Sequence, residues 1–196
     1  MGRIVVTEFV SLDGIVEDPG GAEDYKYGGW SFEFDRGDEG NEFKLEETRN
    51  SKALLLGRRT YEGFADAWPS REGEFADIFN SMPKYVVSST LQSPEWTNST
   101  VLAGDLVEEV TKLKGEVGGE IVVHGSATLA HGLLENDLVD ELRLMMFPVV
   151  LGSGRRLFEA GSKKRLKLAE SRTVGDGVLI LIYTPAAADA RAATST

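Results

Sequence analysis

Short β-branched runs recur along this chain, and through its first two-thirds they alternate with amphipathic helical patterns. The runs predict strands over Arg3–Val10, Ala53–Leu56, Tyr85–Ser88, Thr100–Ala103 and Glu120–His124. Helical periodicity predicts helices over Glu39–Ser51, Thr60–Asp66, Asp105–Lys114 and Ser126–Glu135. In the third of these Asp105 serves as N-cap, and Leu106, Val110 and Leu113 share one face. Helices between strands of one sheet imply right-handed parallel crossovers. The last third differs. Glu141–Pro148, Leu166–Thr173 and Gly177–Thr184 run strand to strand, with Gly175-Asp176-Gly177 as a hairpin turn. The expected fold class is therefore α/β: a mixed, mostly parallel sheet with helices on both faces, closing in an antiparallel hairpin.

A length of 196 residues suits one domain, here residues 1–185, followed by a tail (186–196) without large apolar residues that is expected to be disordered. The net charge of −11 argues against nucleic acid or an anionic membrane as partner, so an anionic ligand needs a local basic pocket. Cysteine is absent, which removes disulfides, thiolate zinc sites and a cysteine nucleophile. With His124 and His131 as the two histidines, no metal centre is expected. The opening MGRIVVTEFV is no secretory core, and no apolar run approaches the ~20 residues of a membrane span. A cytoplasmic protein is expected. Residues 17–40, rich in Gly, Asp and aromatics, form a long loop of the functional or mobile kind.

Three strand ends share a composition. Leu56 runs into Gly57-Arg58-Arg59-Thr60, Val87 into Ser88-Ser89-Thr90, and Val123 into His124-Gly125-Ser126-Ala127-Thr128. Ligands of open α/β sheets collect at the carboxyl ends of strands, where glycine allows close approach and helix N-termini offer free N–H groups to phosphate. Arg58 and Arg59 add paired guanidinium forks. Each segment alone also reads as an ordinary turn and helix cap. The three together favour a dinucleotide site, although no GxGxxG follows the first strand.

The segments GRRTYEGFADAW, VVSST and IVVHGSATLAHGLLENDLVDELRLMMFPVVLGSGRRLF, with the earlier Ser11-Leu12-Asp13-Gly14, resemble the dihydrofolate-reductase-like fold. More closely, the chain is similar to the reductase domain of bacterial riboflavin biosynthesis, as a stand-alone member, over residues 3–184. The resemblance implies a three-layer α/β/α domain that uses NADPH. It places Gly57, Arg58, Arg59 and Thr60 at the adenosine-side phosphates, and Ser88, Ser89 and Thr90 by the 2′-phosphate and adenine. Gly125, Ser126, Ala127 and Thr128 would lie under the pyrophosphate, with His124 capping or touching the cofactor where dihydrofolate reductases carry a second glycine.

On the substrate side the resemblance singles out Asp13 as catalytic and substrate-binding; by itself the Asp-Gly pair is also a common turn. Trp30, Phe32 and Phe34 could form an aromatic wall for a planar heterocycle, or pack in the core. Leu151 and Gly152 open a segment, through Arg155 and Arg156, that could hold a substrate phosphate or simply connect. Glu39, Glu42, Glu46 and Glu47 read as one solvated helix face. The function implied is hydride transfer from NADPH to a 5-amino-6-(5-phosphoribosylamino)uracil-like heterocycle. The alternatives are a dihydrofolate or pterin reductase and a non-catalytic NADPH-binding regulatory module. The apolar final strands are compatible with a homodimer.

Overall fold

Alternation along the strands sorts their side chains into two layers. In β2 (Ser51–Gly57), Ala53 and Leu55 join one apolar cluster while Leu54 and Leu56 join another. The first cluster lies under α4 (Leu106–Glu116) and α5 (Ala127–Glu135), which contribute Val110, Leu113, Leu129 and Leu133. The second lies under α2 (Arg58–Ala67) and α3 (Glu74–Ser81), through Tyr61 and Phe79. A third gathers Trp30, Phe43 and Phe147 beside α1 (Gly37–Asn50). The layers are thus α/β/α. This computed structural model describes residues 1–158, 161 and 163–186. All but Ala186 of the expected tail lies outside the described residues.

The remaining strands are β1 (Arg3–Ser11), β3 (Lys84–Val87), β4 (Ser99–Leu102), β5 (Glu120–His124), β6 (Glu141–Phe147), β7 (Leu166–Val174) and β8 (Val178–Pro185). They form one sheet in the order β4-β3-β2-β5-β1-β6-β8-β7. The first six in that order run parallel, and β8 and β7 are antiparallel additions. This matches the architecture expected from the sequence. Helix α3 is not among the expected elements; its eight residues are held by packing Phe75 and Phe79 against Trp68. The loop expected over residues 17–40 contains a 3-10 turn, Trp30–Glu33, and runs only to Arg36, because α1 begins at Gly37. The turn between β7 and β8 docks there: the Asp176 amide donates to the Asp35 carbonyl at 2.7 Å. A side chain on Gly175 would collide with that carbonyl, so the turn requires glycine.

The pairing of β1 is staggered between its two neighbours. The β1–β5 register ends at Thr7 opposite His124, yet β1 continues to Ser11 with β6 alone beside it. A gap therefore opens inside the sheet at its carboxyl edge.

Candidate active site

Two helices start at this edge without a side-chain cap. Asp105 accepts hydrogen bonds from the Val107 and Glu108 amides at the head of α4, but neither Gly57 before α2 nor Ser126 before α5 caps its helix. Their first-turn N–H groups are left for water or a ligand, with the positive end of each helix dipole behind them. The two turns meet. A Cβ on Gly57 would overlap the Ser126 hydroxyl, and Gly125, at φ +71°, faces Thr60. Ser126 follows in the left-handed region as well, at φ 72°, a conformation that costs energy in a residue with a side chain.

The β3 end joins through Arg58, whose Nη1 donates to Thr90 Oγ1 at 2.6 Å while its Nε donates to Glu62 at 2.7 Å. Ser88 Oγ accepts from the Thr90 and Leu91 amides and shapes that turn. Arg59 is exposed at the head of α2 and forms no ion pair among the described residues. Gly57, Arg58, Thr60, Ser88, Thr90, Gly125 and Ser126 are thus one contiguous group, as the sequence suggested, with Ser89 and Thr128 exposed nearby and Ala127 buried. The His124 side chain does not join them. Its ring stands edge-on to Phe79 at 5.3 Å, its Nε2 is enclosed without a partner, and burial pushes the imidazole down to about 3.

Across the gap, Asp13 is occupied. Its carboxylate accepts from the Ser11 hydroxyl at 2.7 Å and from the Leu151 and Gly152 amides at 3.1 and 2.9 Å. Desolvation opposes ionisation, but the Ser11 and backbone hydrogen bonds prevail and hold the carboxyl below its usual range. Asp13 is thus suited to accept or orient, not to release a proton near neutrality. Trp30 is fully buried and its indole N–H donates to the Glu17 carbonyl, so it backs the wall instead of facing a ligand. Phe32 is 77% exposed and stands apart. Phe34, half-buried, tilts on Phe147 beside Phe9, and those three rings form the wall. The arginines of the 149–157 segment are engaged: Arg155 with Glu17, and Arg156 with the Asp13 carbonyl at 2.6 Å.

The acidic face of α1 is where the sequence expectation fails. Glu47 is buried, not solvated, because it shares the inner side of α1 with Gly40, Phe43, Lys44 and Thr48. The Lys44 ammonium donates to Glu47 and, at 2.9 Å, to Thr7 Oγ1. Burial opposes the Glu47 charge, yet Lys44, with a smaller part from Arg143, holds its carboxyl below the usual range. Lys44 and Arg36 both lie over the Phe9 ring, at 5.6 and 5.4 Å from its centroid. Arg36 bonds Asn41 and has no carboxylate partner among the described residues. Sequence reasoning also misses Glu8, although a charged residue between Val6 and Val10 breaks an apolar strand and is a signal that could have found it.

These features define an α/β/α domain of the dihydrofolate-reductase-like kind, with an anion-ready edge beside an aromatic wall. The chain belongs to the RibD C-terminal domain family, which it matches over residues 3–180. It is 32% identical over 192 residues to the uncharacterized protein YyaP of Bacillus subtilis, covering 92% of this chain and 94% of that one. A second Bacillus subtilis protein, the uncharacterized YwjB, is 29% identical over 172 residues, covering 86% of this chain and 90% of the relative. Among solved structures, one from Shewanella sp. PV-4, provisionally assigned to riboflavin biosynthesis, superposes with a TM-score of 0.73 at 22% identity, over 94% and 99% of the two chains. A pyrimidine reductase-like protein of Corynebacterium diphtheriae superposes at 0.64 with 13% identity, over 94% and 92%. Acinetobacter baumannii RibD gives 0.65 at 15% identity; the match covers 95% of this chain and 58% of that longer one.

Proposed function

We propose that this protein is an NADPH-dependent reductase of a small planar heterocycle, of the riboflavin-biosynthesis type represented by 5-amino-6-(5-phosphoribosylamino)uracil. The observation that carries the reading is the meeting of two uncapped helix N-termini with Arg58 and Arg59 at adjoining strand ends. Such a surface fits a pyrophosphate and an adjacent phosphomonoester. The backbone at Gly125, which has no side chain, fits the close approach a dinucleotide needs, while Gly57 lets the Ser126 turn pack onto the head of α2. A bound reduced nicotinamide would supply the hydride for an electrophilic carbon.

The chain's own residues would do the rest. Arg58 and Arg59 bind the phosphates, with Ser88, Ser89 and Thr90 lining the adenine side. The Phe9, Phe34 and Phe147 rings exclude water beside the reacting groups. Asp13, ionised and fixed on the Leu151 and Gly152 amides, orients a polar substituent at the rim. The cations Arg36 and Lys44 over Phe9 favour an electron-rich or anionic heterocycle over a protonated pterin, which calls for a free carboxylate at the inner face of α1. No described helix is long and apolar enough to cross a membrane. The same reading has the enzyme work in the cytoplasm. A second copy would pack on the final hairpin at the exposed Leu168.

The test is cofactor titration. Wild-type protein should bind NADPH more tightly than NADH, and Arg59→Ala should weaken NADPH by about tenfold while changing NADH little, since a guanidinium–phosphate pair is lost. Equal loss for both cofactors contradicts the 2′-phosphate assignment, and no binding of either removes the reductase reading.

A further inference from the structure

Glu8 is the ionisable side chain that β1 directs toward α5. Its neighbours on that face of the strand are Ile4, Val6 and Val10, packed in one cluster with Leu129, Ala130 and Leu133 of α5. On the β6 side Glu8 sits in register with Leu144, another member of that cluster. On the β5 side the register has just ended at Thr7 and His124. The residue that would lie alongside Glu8 is Gly125, which has no side chain and turns away at φ +71°. The carboxyl group therefore stands at the gap in the sheet, where β5 becomes the head of α5.

Glu8 is 6% exposed, and its Oε1 is enclosed with no hydrogen-bond partner. No ion pair or hydrogen bond to its side chain occurs among the described residues. Buried polar atoms in folded proteins are nearly always satisfied, so an orphan beside this gap in strand pairing marks where a partner is missing. Apolar walls also keep the group uncharged: burial pushes its carboxyl up to about 8, against the opposing pull of Lys44. A neutral carboxylic acid offers one O–H donor and one carbonyl acceptor side by side. A primary carboxamide presents the complementary pair, an acceptor oxygen beside N–H donors.

We propose that Glu8 is the receptor for the carboxamide of the nicotinamide ring, pairing with it through two hydrogen bonds at the gap between β1 and β5. The assignment rests on the dinucleotide reading and makes Glu8 a cofactor-orienting residue that fixes which face of the ring the cleft presents.

The experiment compares wild type, Glu8→Gln and Glu8→Leu in calorimetric titrations with three ligands. These are NADPH, its reduced 3-acetylpyridine analogue, in which a methyl group replaces the amide NH2, and 2′,5′-ADP, which lacks the nicotinamide half. Wild type should prefer NADPH to the analogue by about tenfold, the order expected for a hydrogen bond left unmade in an enclosed site. Glu8→Leu should lose that preference, Glu8→Gln should keep most of it because an amide also offers a donor and an acceptor, and 2′,5′-ADP should bind all three alike. Two results overturn the proposal: a preference that survives in Glu8→Leu, or an equal loss of NADPH and 2′,5′-ADP, which would mean a structural role. Wild type that binds neither NADPH nor 2′,5′-ADP overturns the dinucleotide reading itself, a different outcome from either. Glu8→Leu replaces an unsatisfied polar group with an apolar one and should melt no lower than wild type.

Discussion

Between β2 and β5 the strand ends present bare backbone and an exposed guanidinium, whereas between β1 and α1 most polar groups are already committed to one another. The first region has two helix heads with no side-chain cap and an Arg59 without an ion-pair partner among the described residues. The second has Lys44 held by Thr7 and Glu47, and Asp13 held by Ser11, Leu151 and Gly152. A surface that awaits an anion leaves its donors open. A surface that must keep a shape for a smaller molecule ties its polar groups into the fold. The first should therefore respond to substitution mainly in affinity, and the second mainly in stability.

The largest expected effect comes from breaking the committed side. Lys44→Met leaves the enclosed Glu47 carboxylate with only the more distant Arg143 and should cost about 3–5 kcal/mol, read from the urea midpoint. The double variant Lys44→Met, Glu47→Leu should recover most of that loss; no recovery would mean that Lys44 acts alone. On the open side, Gly57→Val drives a side chain into Ser126 and should weaken NADPH by about ten- to a hundredfold, measured by titration, with a smaller change in unfolding midpoint. A larger drop in stability than in affinity would erase the distinction between the regions.

The most gradual effect belongs to the gap between them, is spread over several pH units and is read with pH. Glu8 keeps its proton in the folded state up to about 8 but releases it near 4.5 when unfolded. Its contribution is fully present below 4.5 and is lost as pH rises through 8, at up to about 1.4 kcal/mol per pH unit inside that window. Glu8→Gln should flatten that part of the stability profile. An unchanged slope would show that Glu8 is already ionised in the fold.

The two regions also differ in how much of them the sequence displays. Gly57 to Thr60, Ser88 to Thr90 and Gly125 to Ser126 are each contiguous, and each directly follows an apolar run, so local order carries the signal. The alternation of strands with helices and the closing hairpin are visible for the same reason. The committed side depends on partners distant in the chain. Glu47 looks like Glu39, Glu42 and Glu46 until β1 brings Thr7 and β6 brings Arg143, whose Nη1 stands 3.5 Å from it, against the inner side of α1. Trp30 reads as a ligand wall only while its indole lacks the Glu17 carbonyl that the folded loop supplies. Helix α3 is hidden because eight residues carry little periodicity, and its apolar side is defined by Trp68 from the preceding segment.

The rim that Asp13 fastens has a consequence for how such domains change over time. Besides that clamp, the Leu12 amide donates to the Val149 carbonyl, Val16 to Arg155 and Leu157 to Gly14, while the Arg155 amide donates to the Glu17 carboxylate. Residues 11–17 and 149–157 are two stretches of sequence but one mechanical part. Neither can gain or lose a residue without unstitching the other, so a transplant of this rim from a relative succeeds only when both stretches travel together.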